Sequence, residues 1–127
     1  MHMNELPIFD ACRAGDLTRC TQILNVNSEH ANARNEYSRT PLHCASHGRH
    51  ARICALLIAH GADVDARDWF GQTPLHKAVL VVAATGNHGD SSAVCSVLIG
   101  NGANINARDN ANQTPMHLAP LDMVVKI

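Results

Sequence analysis

One short box recurs along this chain and dictates what it can fold into: Thr40-Pro41-Leu42-His43, Thr73-Pro74-Leu75-His76 and Thr114-Pro115-Met116-His117, each followed within two residues by Ala45, Ala78 or Ala119. Thr40 and Thr73 lie 33 positions apart. A second run keeps phase with the box: Gly-Ala-Asp-Val-Asp-Ala-Arg-Asp at 61–68 returns as Gly-Ala-Asn-Ile-Asn-Ala-Arg-Asp at 102–109, and its tail is echoed in Asn32-Ala33-Arg34. Self-similarity at a fixed period builds an array of like units, each burying a face against its neighbour, instead of one closed core.

Each box has a local physical meaning. Thr40 suits a helix N-cap, its hydroxyl accepting from an orphan amide, and Pro41 suits the first helical position, where a missing N–H costs nothing. His43 is near enough to reach back to the Thr or to a neighbouring loop, which ties units together. Small Ala45 lets the next helix approach. Downstream, residues 51–60 place Ile53, Leu56 and Leu57 on one helical face, and Gly61 supplies a left-handed stop. Residues 62–68 alternate into a short extended hairpin that turns around residues 69–72.

The 33-residue period with its Thr-Pro-Leu-His box resembles the ankyrin repeat family over nearly the whole chain. The resemblance implies an all-α repeat solenoid of stacked helix-turn-helix units with short β-hairpin fingers. A single domain, 1–127, divides into a cap-like unit at about 6–36, then units at 37–69, at 70–110 with an eight-residue insertion, and a partial unit at 111–127. The first unit lacks the box and begins Leu6-Pro7-Ile8-Phe9. The insertion falls near residues 80–89 and is expected to lengthen a helix and end in turn chemistry at 86–89. Gly48-Arg49 departs from the usual placement of glycine one position later, leaving the geometry of that turn open.

Composition excludes several classes of function. Ten Lys and Arg against eleven Asp and Glu, with no dense basic run, leave no electrostatic footprint for nucleic acid. The longest apolar run is far short of the roughly 20 residues needed to span a bilayer, and the N-terminus has no secretory pattern. Five cysteines without a close CxxC pair argue against a disulfide framework or a zinc knuckle, and read as reduced thiols of the cytoplasm or nucleus. Nine histidines invite a metal reading, chiefly His43 and His47 with His50. The recurrence of His43, His76 and His117 at one repeat position favours a structural role, and no closed ligand set is available. Catalytic motifs are absent, so neither a cofactor nor an enzymatic activity is expected.

A non-catalytic module binding a partner protein is therefore expected, with a spacer or regulatory arm of a larger, possibly enzymatic, polypeptide as the alternative. The resemblance implies docking on a concave groove built from finger tips and first helices. Aromatics are only 3% of the chain, yet Tyr37, Trp69 and Phe70 fall where the tips turn, and Trp and Tyr are enriched at binding hot spots. Arg39, Gln72 and Gln113 occupy equivalent tip positions as a polar rim, while Cys44, His47 and Lys77 line the groove. Cys44 is expected there with an ordinary, accessible thiol. The resemblance also implies two hydroxylation candidates for an asparaginyl hydroxylase: Asn106, through Leu98 and Ile105, and Asn32, more loosely through Leu24. The apolar Met123, Val124, Val125 and Ile127 suggest a monomer or weak self-association through the C-terminal end.

Overall fold

The computed structural model describes the backbone of residues 5–85 and 89–118, and their side chains apart from 81–85, 89–90 and 117–118. Helices α1 (Pro7–Ala14), α2 (Leu17–Val26), α3 (Pro41–His47), α4 (Ala51–Ala59), α5 (Pro74–Thr85), α6 (Gly89–Gly100) and α7 (Pro115–Leu118) follow one another, with a 3₁₀ turn at Ser28–Asn32. Helices α1, α3, α5 and α7 stack in one row and α2, α4 and α6 in a second behind it. The core is the layer between the rows. Ile8, Phe9, Leu24, Leu42, Leu57, Leu75 and Leu98 fill it with almost no solvent exposure, and small Ala11, Ala45 and Ala78 set the close spacing.

The helix starts follow the box chemistry. Thr40 caps α3 in extended backbone, its hydroxyl accepting from the His43 amide at 3.4 Å, while Nδ1 of His43 accepts from the Thr40 amide at 3.1 Å. Thr73 and His76 repeat the pair at 3.4 and 3.1 Å. Leu6, which precedes α1, offers no capping side chain. Gly61 takes φ +95° after α4 and supplies the left-handed exit. Of the expected stripe, Ile53 and Leu57 are buried and Leu56 is half-buried.

At the α3–α4 turn the open question resolves unusually. Arg49, not glycine, takes the left-handed conformation at φ +65°, and Gly48 stays right-handed. Gly48 leaves room for the His50 ring: a Cβ there would sit 2.7 Å from it, so the ring would have to shift. Helix α5 runs twelve residues where α3 runs seven, as the helix-tolerant sequence predicts. Residues 86–88 lie outside the described residues, and Gly89, expected in a turn, opens α6. The expected C-terminal apolar cluster also lies outside them.

Among the described residues the fingers contain no strand. Each is a tight turn closed by two backbone bonds: Asn35 N–H to Arg39 O at 3.0 Å, Asp68 to Gln72 at 3.0 Å and Asp109 to Gln113 at 2.9 Å, with the amides of Ser38, Gly71 and Asn112 donating back to Asn35 O, Asp68 O and Asp109 O at 2.9, 3.0 and 2.9 Å. The fourth position of each turn is left-handed: Ser38 at φ 58°, Gly71 at 72° and Asn112 at 62°. Such a turn is too short to pair as a ladder, so the extended alternation before it never becomes sheet.

Candidate functional site

Every finger is built on an Asx side chain five residues before the Thr of the next box. Asn35 Oδ1 accepts the amides of Tyr37 and Arg39 at 2.9 and 3.0 Å. Asp68 Oδ1 accepts those of Phe70 and Gln72 at 2.9 and 3.0 Å, and Asp109 Oδ1 those of Ala111 and Gln113 at 3.0 and 2.8 Å. This is the Asx-turn chemistry that lets a short polar side chain replace backbone partners. Sequence reasoning saw Asp68 and Asp109 as part of a repeated run but assigned them no role, and did not single out Asn35. Their constant distance from Thr-Pro was the available signal.

Adjacent fingers are then fastened to one another. The Trp69 amide donates to Tyr37 O at 3.1 Å and the Asn110 amide to Phe70 O at 2.9 Å. Arg34 Nη1 donates to Arg67 O at 2.6 Å, and Arg67 Nη1 to Arg108 O at 2.8 Å. From below, His43 Nε2 bonds Gln72 O at 2.8 Å and His76 Nε2 bonds Gln113 O at 2.9 Å. Because a backbone amide can only donate and a carbonyl only accept, both rings carry their proton on Nε2. Burial pushes the His43 pKa down to about 4, so the ring is neutral near pH 7. His43 and His76 are thus struts between successive units.

The fingers bring the expected aromatics together on the surface. Trp69 is 66% exposed, Phe70 52% and Tyr37 40%, whereas Phe9 is fully buried. Tyr37 and Trp69 meet edge to face with centroids 6.2 Å apart. Arg39 lies between two rings, its guanidinium carbon 5.1 Å from the Tyr37 centroid and 5.8 Å from that of Phe70. Phe70, Arg39, Gln72 and Gln113 also border a shallow cleft with Asp109 and Asn110.

Below the tips, Arg13, Arg39, His43, Cys44, His47 and Lys77 enclose a cavity of about 350 Å³. The expected groove residues Cys44, His47 and Lys77 therefore share one wall, but not with equal access. His47 is exposed, while Cys44 and Lys77 are only 9% and 8% exposed. An accessible, ordinary thiol at Cys44 is thus corrected: α1 packs against α3 and burial pushes the thiol pKa up. Lys77 Nζ reaches Gln72 Oε1 at 2.6 Å and Asp68 Oδ2 at 3.3 Å, and Arg39 Nε reaches the same Oδ2 at 3.2 Å. Arg13 holds Glu5 through both guanidinium nitrogens at 2.6 and 2.8 Å. Sequence reasoning missed Arg13 and Glu5 because they lie in the unit without the box.

The two asparagines differ. Asn32 donates to Gly61 O at 2.8 Å and accepts from the Asp63 amide at 2.9 Å, so its carboxamide staples two successive units. Asp65 takes the equivalent role toward the Asn104 amide at 2.8 Å. Asn106 sits exposed on the following turn. Among the described residues no cluster of three His, Cys, Asp or Glu side chains is placed to hold a metal ion, and no helix is long and apolar enough to cross a membrane.

Comparison with known proteins agrees with this architecture. A family model described as "Ankyrin repeats (3 copies)" matches residues 8–81, and one described as "Ankyrin repeats (many copies)" matches residues 57–119. "Ankyrin repeat domain-containing protein 49" of Bos taurus is 41% identical over 56 residues, 44% of this chain and 24% of that protein. "NF-kappa-B inhibitor alpha" of Gallus gallus is 47% identical over 47 residues, 37% of this chain and 15% of its own length. "Putative ankyrin repeat protein FPV014" of Fowlpox virus is 30% identical over 76 residues, 60% of this chain and 17% of its own. The chain spans less than a quarter of the length of these relatives. With the repeated box, the stacked helix pairs and a family match over more than half its length, the chain belongs to the ankyrin repeat family.

Proposed function

We propose that this chain is a non-catalytic module that docks a partner protein across its finger tips and concave groove. Ankyrin repeats generally mediate protein–protein interaction and are typically non-catalytic. The observation that carries the reading is the aromatic cluster at the tips: three of four aromatic rings are held out of the core by backbone-fastened turns, with Arg39 between two of them. Rigid, half-exposed Trp and Tyr beside Arg is the composition of binding hot spots. Arg39, Gln72 and Gln113 form the polar rim, and Cys44, His47 and Lys77 the groove side.

Trp69→Ala and Phe70→Ala are each expected to weaken a partner captured with the 127-residue chain by about 2 kcal/mol or more, with little change in melting temperature. Calorimetry on the partner and thermal denaturation check both. A sharp fall in melting temperature with unchanged affinity would mark the rings as structural. A second reading, the array as a spacer or regulatory arm of a larger polypeptide, draws on the small share of each relative that is matched. It predicts that the isolated 127 residues retain no partner in a pull-down.

The modification proposal narrows to Asn106. Hydroxylating Asn32 would require breaking two inter-unit hydrogen bonds, whereas the Asn106 side chain is exposed. Incubation with an asparaginyl hydroxylase is expected to add one oxygen to the Asn106 peptide and leave the Asn32 peptide unchanged by mass spectrometry. An unmodified Asn106 peptide ends the idea.

A further inference from the structure

We propose that the cavity beneath the finger tips receives a single carboxylate, the Asp or Glu side chain of an extended partner segment whose neighbouring residues lie on Trp69 and Phe70. This rests on the protein-docking reading above and names the chemistry of the partner. Three cationic side chains, Arg13, Arg39 and Lys77, stand in the cavity wall with His43, Cys44 and His47, and among the described residues no acidic side chain lines it. Their counter-charges lie deeper. Side-chain exposure is 35% for Arg13 against 5% for Glu5, and 30% and 10% for Arg39 and Lys77 against 0% for Asp68. The carboxylates are therefore beneath the cations, and the cavity sees the positive ends.

The field is felt by a neighbour: burial lowers the His47 pKa, and the charges of Lys77, Arg39 and Arg49 lower it further. The floor adds no negative charge, since His43 is neutral with both ring nitrogens bonded and burial keeps the Cys44 thiol protonated. Asp10, 3.6 Å from Arg13 and 69% exposed, faces solvent outside the wall and is screened. Within the wall itself, with the exposed Asp10 and half-buried Arg49 outside it, three cations over the two buried carboxylates leave one positive charge. A carboxylate matches it, whereas a phosphate carries about two negative charges. The chain as a whole is net −1, and screening beyond about 8 Å confines the attraction to the cavity, so polyanions find no general affinity. Charge-assisted bonds to a guanidinium or ammonium are the strong class of hydrogen bond, and the aromatic rim excludes water around them.

The test leaves the buried ion pairs intact. Short fluorescein-labelled peptides, randomised over uncharged residues, carry a fixed central Asp, Asn, phosphoserine or Lys, and fluorescence anisotropy reads binding to the full chain. The Asp pool is expected to bind about tenfold more tightly than the Asn pool, a preference that shrinks at high salt. His47→Glu, which places a tethered carboxylate at the rim of the cavity, is expected to erase the preference, and His47→Arg to enlarge it. Both should fold as wild type, because His47 is exposed. Equal binding of the Asp and Asn pools, or tightest binding of the phosphoserine or Lys pool, overturns the carboxylate site while partner capture through Trp69 and Phe70 can still stand. Binding by no pool overturns it as well, and leaves the docking reading to the pull-down.

Discussion

Asp68→Ala is expected to destabilise the fold by about 3–5 kcal/mol, the range for removing one partner of a buried charge set. The side chain is wholly inaccessible, yet it accepts from the Phe70 and Gln72 amides on one oxygen and pairs with Arg39 and Lys77 on the other. Alanine leaves a mostly buried ammonium without its carboxylate and a finger turn without its organising acceptor. Burial opposes ionisation of Asp68, but the Gln72 amide, Lys77 and Arg39 outweigh it and hold the pKa below the ordinary carboxylate value. Asp68→Asn separates the two roles, since the amide oxygen can still organise the turn but cannot neutralise the cations. Urea denaturation should rank wild type above Asn and Asn above Ala. A loss under about 1 kcal/mol for Ala, the size of an exposed ion pair, would show that the cations rearrange into water.

How legible this was in the sequence follows from how local each feature is. The box announced the α3 and α5 starts because Thr, Pro and His act within one turn, and the structure finds both rings where that chemistry puts them. Cys54 and Cys95 stand at equivalent places in α4 and α6, each directly after an Ile or Val, and that local pattern is the sequence signal for the burial both show. The fingers were read as short extended hairpins because their polarity alternates. Asx side chains instead draw the backbone into tight turns, an outcome set by hydrogen-bond competition that periodicity does not report. The groove was half legible. Cys44 and Lys77 sit at equivalent positions of α3 and α5, with His47 about one turn beyond Cys44, but Arg13 arrives from the unit without a box, and only the stacking of α1 on α3 brings it to the same wall. That Lys77 is buried follows from its hold on Asp68, a partner on the preceding finger, which no spacing within α5 could disclose.

Stability should fall as pH drops from 6.5 to 4, and His43 is the principal cause. Its folded pKa of about 4 lies below the unfolded value of 6.5, so in that window the unfolded chain binds the proton that the folded chain refuses. Protonation would force Nδ1 to become a donor against the Thr40 amide, which also donates, inside a site that is almost fully buried. The sign follows: the contribution is fully present above pH 6.5 and is lost as pH falls toward 4. The shift corresponds to about 3 kcal/mol for this one ring. His76, whose pKa burial also lowers, adds a second contribution of the same sign. Asp68 and Asp109, depressed below 3.8, act only at more acid pH, so the two groups separate along the pH axis. His43→Gln should be less stable than wild type at pH 7 by about 2–4 kcal/mol, through a lost strut to Gln72 and a poorer fit in the core. Its stability should also be flatter between pH 6.5 and 4, which urea midpoints measured across that window will read directly. If the variant keeps the full wild-type slope, the proton is taken up elsewhere and the strut is not the acid-sensitive joint of the array.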